Sequence, residues 1–333
     1  MTAVGEARRP DRRRAGWWVI AEKELGDHVT SLRFIILLLI LAAAVAVTLY
    51  FASARIRDLA PQVSGIPAVF IALFTLGPED IPILRFDIFV GFLAPLLGIA
   101  FGFDSVNVER SEGTLPRLVA QPIHRDDVIN GKFAAGLAVI AVMLAALAAL
   151  VAGVGIVRLG IVPSPAEVIR LIVWYLLTLV YVGFWLAFAT LLSVVIRRAA
   201  ASALFLAFGL WVVVTFFWDL MATVVANAFA PASGTADQVL RNLQVHELLT
   251  RFSPATLYQE ASLVVLNPGA GASDISVPGT IGQFVQGQQQ IPSLHSLDQS
   301  LLLVWPQVVI LVALMVLSFA AAYVLFMRQE IRA

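Results

Sequence analysis

The chain has 333 residues, of which 60% are hydrophobic and only 13% charged, and its 22 basic residues balance 22 acidic ones. Soluble domains run at roughly 45–50% apolar and about 25% charged, so this composition points to an integral membrane protein; the zero net charge supplies no field that favours nucleic acid. Cysteine is absent, which excludes disulfides, thiolate nucleophiles and cysteine-ligated metals together, and no polar stretch is long enough for a large soluble catalytic domain.

Residues 1–16 are basic and polar, with Arg12-Arg13-Arg14, and read as a disordered N-terminus. Residues 17–33 read as an amphipathic helix. Trp17, Trp18, Ile20, Ala21, Leu25 and Val29 form a stripe expected to face lipid, against Glu22, Lys23 and Asp27, with Glu24 beside them. Tryptophan at headgroup depth suits a helix lying on the inner leaflet. Six membrane spans follow, at about 34–53, 86–103, 133–157, 168–196, 199–226 and 301–327. The 33 residues ahead of the first make too long a lead for a cleaved signal peptide. Gly98 and Gly102 are spaced for close helix approach in the second. Cytoplasmic loops carry the excess of Lys and Arg. Placing the N-terminus inside puts 15 basic residues inside and seven outside, so both termini are expected in the cytoplasm of a multi-pass protein of the cell membrane.

Two outer segments stand apart from the spans. Residues 54–85 hold Pro61, Pro67, Pro78 and Pro82, which forbid one long helix. Residues 227–300 are the largest polar piece. Thr235-Ala236-Asp237-Gln238 resembles a capping box and opens an amphipathic helix. Ser253-Pro254 starts a second short helix that ends before Asn267-Pro268, and a Gly- and Gln-rich loop follows. These helices are expected to cap the outer mouth, to meet another chain, or only to cover the outer ends of the spans. Residues 301–333 complete the chain as the last span and a cytoplasmic C-terminus.

Enzyme motifs fail. Gly131-Lys132 is the nearest approach to a Walker A loop, but Asp126 stands at the first glycine position and Phe133 lacks the hydroxyl that ligates magnesium. His246-Glu247 begins like a zinc-protease helix, yet Thr250 replaces the second histidine. No catalytic, cofactor or metal residues are assigned. Among charges inside spans, Asp219 beside Trp218 and Phe217 is the candidate for a transport pathway. Aromatic residues Phe184, Trp185, Phe188 and Phe216 would suit either a lipophilic pathway or helix packing.

Residues 104–136, between the second and third spans, decide the reading. Gly113 breaks the emerging span, and Thr114 can cap a short helix over about 113–121 carrying Leu115, Leu118 and Val119. Pro122 ends it, and Asp126-Asp127 opens the next helix with negative charge at its N-terminus. The result is a short helix across the cytoplasmic mouth, suited to docking a partner. This segment resembles the ABC transporter permeases of the type-2 exporter class, in Glu109, Arg110, Gly113, Thr114, Leu115, Pro122, Ile123, Arg125, Gly131 and Lys132. Gln121 stands where Thr or Ser is usual. The interfacial helix, the six spans and the Ser253-Pro254…Asn267-Pro268 segment look most like the multicopper-enzyme maturation permeases, although no His, Met or Cys cluster suits copper.

The resemblance implies an all-α polytopic subunit without ATPase activity of its own. It would pair with a second permease chain, as a homodimer or heterodimer, and dock two ABC ATP-binding subunits that hold ATP and magnesium. Glu109, Arg110, Gly113, Thr114, Leu115, Leu118, Pro122, Arg125 and Lys132 would couple hydrolysis to the spans. Two alternatives stand beside the exporter: a permease that transmits motion to an extracytoplasmic partner through 227–300 without moving a substrate, and an ion-coupled secondary carrier.

Overall fold

A computed structural model describes residues 15–59, 69–78, 81, 84–108, 124–196, 200–267, 269 and 296–329. The elements are helical: α1 (Gly16–Val29), α2 (Leu32–Leu59), α3 (Val69–Thr75), α4 (Phe86–Gly102), α5 (Arg125–Leu159), α6 (Pro165–Val195), α7 (Ala200–Val212), a π-turn at Val213–Phe217, α8 (Trp218–Phe229), α9 (Ala236–Thr250), α10 (Pro254–Leu266) and α11 (Leu297–Met327). Five segments are long and apolar enough to cross a membrane: Leu32–Arg57, Arg125–Leu159, Pro165–Val195, Leu204–Phe229 and Leu297–Met327.

The sixth expected span corresponds to α4, which has 17 residues and Pro95 inside it. It runs parallel to α6. Phe86 packs on Trp174 at 5.7 Å, the Tyr181 hydroxyl donates to the Gly91 carbonyl at 3.3 Å, and past the end of α4 the Val106 amide donates to Ser193 Oγ at 3.1 Å. The stretch of α6 from Trp174 to Ser193 rises roughly 30 Å at 1.5 Å per residue, about the thickness of a bilayer core. The α4 strip through Val106 covers that same distance. Glycine makes the contact close. A Cβ on Gly98 would lie 2.6 Å from the Val182 carbonyl oxygen, and one on Gly102 would lie 2.7 Å from that of Leu186.

One end of the bundle gathers α1, the start of α2, the end of α4, the start of α5, the end of α6 and the end of α11. At the opposite end, α9 and α10 do more than cap the spans. Gln238 Oε1 accepts from the Thr235 amide at 3.0 Å to start α9, and Ser253 Oγ accepts from the Thr256 amide to start α10. The pair then folds back as an open hairpin, with α9 lying along α8 and α10 packed against α6 and α11. Tyr258 stacks on Tyr181 at 4.5 Å, nearly parallel. It shares a 2.9 Å hydrogen bond with Thr178, while Trp174 Nε1 donates to Ser262 Oγ at 2.8 Å. Tyr181 lies seven residues along α6 from Trp174, so the hairpin penetrates roughly 10 Å past that level. The first turn of α6 fixes it there. Glu167 Oε1 accepts from the Phe70 and Ile71 amides at 2.8 and 3.3 Å, capping α3 from another helix. Arg170 Nη1 donates to the Val265 carbonyl at the end of α10 and to Ser300 Oγ on α11.

Candidate functional site

The terminal end of the bundle is where the decisive sequence segment leaves and re-enters. Glu109, Arg110, Gly113, Thr114, Leu115, Leu118 and Pro122 lie outside the described residues, but both anchors of the segment, Val108 and His124, are described. Hydrogen bonds tie these anchors to the rest of the bundle. On the exit side the Val106 and Asn107 amides both donate to Ser193 Oγ. Arg33, at the start of α2, donates to Asp104 Oδ2 at 2.6 Å and to the Ala100 carbonyl at 2.8 Å. Its guanidinium also sits 5.1 Å over the Phe103 ring.

On the re-entry side Asp127 makes the critical junction. One carboxylate oxygen accepts from the His124 amide and caps α5, while the other accepts from the Trp17 amide at 3.0 Å and caps α1. A single side chain thus satisfies orphan donors of two helices. Arg125 donates to the Gln329 carbonyl at 3.2 Å, and Gln329 Nε2 donates to the Val194 carbonyl at 2.8 Å. The start of α5 is therefore stitched to the ends of α11 and α6.

Gly131 and Lys132, near matches to a phosphate loop in sequence, hold α1 instead. A Cβ on Gly131 would stand 2.7 Å from the Trp17 carbonyl oxygen and from Ile20 Cβ, so only glycine lets α1 lie this close to α5. Lys132 Nζ meets Glu24 Oε1 at 3.1 Å, with the two side chains only 9% and 13% exposed. Lys23 adds outer charge pairs to Glu24 at 3.6 Å and Asp27 at 3.1 Å. His28 packs edge-on against Phe101 at 5.2 Å. Burial pushes its imidazole below the ordinary value; Lys132 and Arg33 add to this, while Glu24 and Asp104 oppose it.

This corrects one expectation about the amphipathic stripe. Ile20 and Ala21 are buried and Leu25 is packed against the core, so that part faces protein rather than lipid. Trp17, Trp18 and Val29 remain exposed, and Glu22 is exposed on the outer face of the helix. Asp127 and Ser193 were not singled out from the sequence as site residues. The acidic pair at the helix start was a signal for Asp127, whereas nothing local marks Ser193.

The proposed pathway residues lie at the other end. Asp219 pairs with His246 on α9 at 3.2 Å and keeps 78% of its side chain exposed. Trp218 Nε1 donates to the Leu249 carbonyl at 2.9 Å, and Phe217 is exposed at the end of the π-turn. Phe184 and Trp185 are buried in the protomer core. Among the described residues no group of three or more His, Cys, Asp or Glu could hold a metal ion.

Hydrogen bonds at this end thus tie the two anchors of the loop to α1, α2, α6 and α11. The probable ABC transporter permease protein NosY of Stutzerimonas stutzeri is 28% identical over 211 residues, covering 61% of this chain and 68% of NosY. The sequence model for ABC-2 family transporter proteins matches residues 18–331, nearly the whole chain. The chain belongs to the ABC-2 family and is a membrane permease subunit of an ABC transporter.

Proposed function

We propose that this permease is the dimeric membrane half of an ATP-driven exporter, coupled to two separate ATP-binding subunits through the segment between α4 and α5. In this reading α4 is the sixth span, both termini are cytoplasmic, and α1 lies at the inner face of the cell membrane. The stitched terminal end is the observation that carries it. Closure of the ATP-binding subunits pushes residues 109–123; because Val106, Asn107, Asp127 and Arg125 tie the anchors of that segment to neighbouring helices, the push moves helices rather than a loop. ATP and magnesium stay on the partner, and this chain supplies the lever and the passage between two copies.

The test is ATP hydrolysis by the reconstituted complex. Gly113→Pro, or deletion of residues 113–121, is expected to leave membrane insertion intact while abolishing coupled ATPase activity. Unchanged activity would refute the coupling assignment. A second reading has one observation in its favour: α10 is bonded to α6 and α11 by Arg170, Trp174, Thr178 and Gln307. Movement of these spans would be delivered to the segment after Leu266, and hence to an extracytoplasmic partner.

A further inference from the structure

The turn of the α9–α10 hairpin carries a charge cluster that the coupling reading does not use. Arg251 Nη2 meets Glu247 Oε1 at 2.8 Å, and its Nε lies 3.5 Å from Glu260 Oε2. Gln307, on α11, donates from Nε2 to that same Glu260 oxygen at 2.9 Å. Two carboxylates therefore share one guanidinium, which leaves the cluster one positive charge short. Burying such an imbalance is costly unless something completes it.

One acceptor is unfilled as well. Gln307 is only 5% exposed, and its Oε1 is buried without a hydrogen-bond partner. Its amide is oriented by the bond to Glu260, because turning it over would set an oxygen against the carboxylate. The orphan oxygen therefore lies beside Glu260, whose side chain is 12% exposed, and Arg251 Nε, 3.5 Å from Glu260 Oε2, is likewise buried without a hydrogen-bond partner. A buried acceptor of this kind calls for a donor. Arg251 and Glu247 retain 35% and 25% of their side-chain surface, so the cluster is reachable. Leu248 and Phe252, flanking them in the chain, are exposed apolar side chains.

We propose that Glu260, Gln307 and Glu247 form a binding site for a primary ammonium group carried on an amphipathic molecule. The ammonium supplies the missing charge and donates to the Gln307 and Glu260 oxygens, and its apolar part lies against Leu248 and Phe252. A quaternary ammonium brings the charge without the N–H donors. The site sits on the hairpin, apart from the ATPase-coupling end, and its occupancy does not depend on the exporter reading.

The test uses the full chain in phosphatidylcholine nanodiscs, titrated with hexylammonium and with hexyltrimethylammonium, reading the unfolding midpoint and the apparent Kd. Hexylammonium is expected to raise the midpoint saturably, with hexyltrimethylammonium at least tenfold weaker. Glu260→Gln, which keeps size and removes charge, should weaken hexylammonium at least tenfold, and Gln307→Leu should do so several-fold. Equal binding of the two cations, unchanged affinity in Glu260→Gln, or no saturable binding would overturn the proposal. Repetition in discs containing phosphatidylethanolamine identifies the source: competition assigns the site to a lipid headgroup, its absence to a soluble amine, and either result upholds the ammonium chemistry.

Discussion

Substituting alanine at Gly131 should peel α1 from the bundle. The new Cβ would stand 2.7 Å from the Trp17 carbonyl oxygen and from Ile20 Cβ, against the 3.4 Å at which ordinary contact begins, so α1 must retreat by about 0.7 Å. A backbone oxygen cannot rotate away as a side-chain tip could. The retreat lengthens the Trp17–Asp127 hydrogen bond from 3.0 Å and the Lys132–Glu24 pair from 3.1 Å past useful distance. Overpacking of this sort costs about 1–3 kcal/mol; at about 2 kcal/mol the undocked population of α1 rises roughly 30-fold. Because the natural chain has no cysteine, A21C creates a sole thiol at a position only 9% exposed. Its maleimide labelling rate should rise by more than tenfold when Gly131→Ala is added. An unchanged rate would refute the claim that glycine is what admits α1.

Three further outcomes follow from the same geometry. Lys132→Met and Glu24→Gln should each loosen α1 by less than the roughly 3 kcal/mol of a fully stranded buried charge, because Lys23 stays 3.6 Å from Glu24, and the double variant should cost less than the two single losses summed; additive losses in A21C labelling would contradict the pairing. His28 has a depressed folded-state pKa, so the stability it contributes is present above about 6.5, its unperturbed value, and is lost as pH falls through the lower folded value; wild type should lose unfolding midpoint between pH 7.5 and 5.5, and His28→Gln should lose less. Glu167→Ala strips the acceptors from the Phe70, Ile71 and Ser164 amides and should destabilise the chain by about 3 kcal/mol, at about 1–3 kcal/mol for each buried donor left unpaired, which a thermal melt in detergent would read.

The helices were legible where local chemistry writes them. Long apolar runs mark α2, α5, α6 and α11, and Thr235 with Gln238 and Ser253 with Pro254 announce α9 and α10. Gly98 and Gly102 correctly signalled close approach within α4. What stayed hidden depends on partners distant in sequence. The buried face of α1 is chosen by Gly131 and Asp127, more than 100 residues away. The depth of the hairpin is set by Trp174, Thr178 and Tyr181 on α6, which its own polar composition could not reveal. The π-turn before Trp218 has no local signature; it sits amid an aromatic cluster in which Phe92 contacts both Trp211 and Phe216. Gly131-Lys132 was legible as a motif, but its physical work, admitting one helix and pairing with its glutamate, required the fold.

The central claim is that this permease works with separate ATP-binding subunits. It is tested most directly by gentle purification of the tagged chain from native membranes, with quantitative mass spectrometry of what accompanies it. The account predicts a protein carrying Walker A and B motifs in one-to-one ratio with the permease, in a complex holding two copies of each. A stable homo-oligomer with no ATPase, from a preparation that retains known complexes, would contradict it.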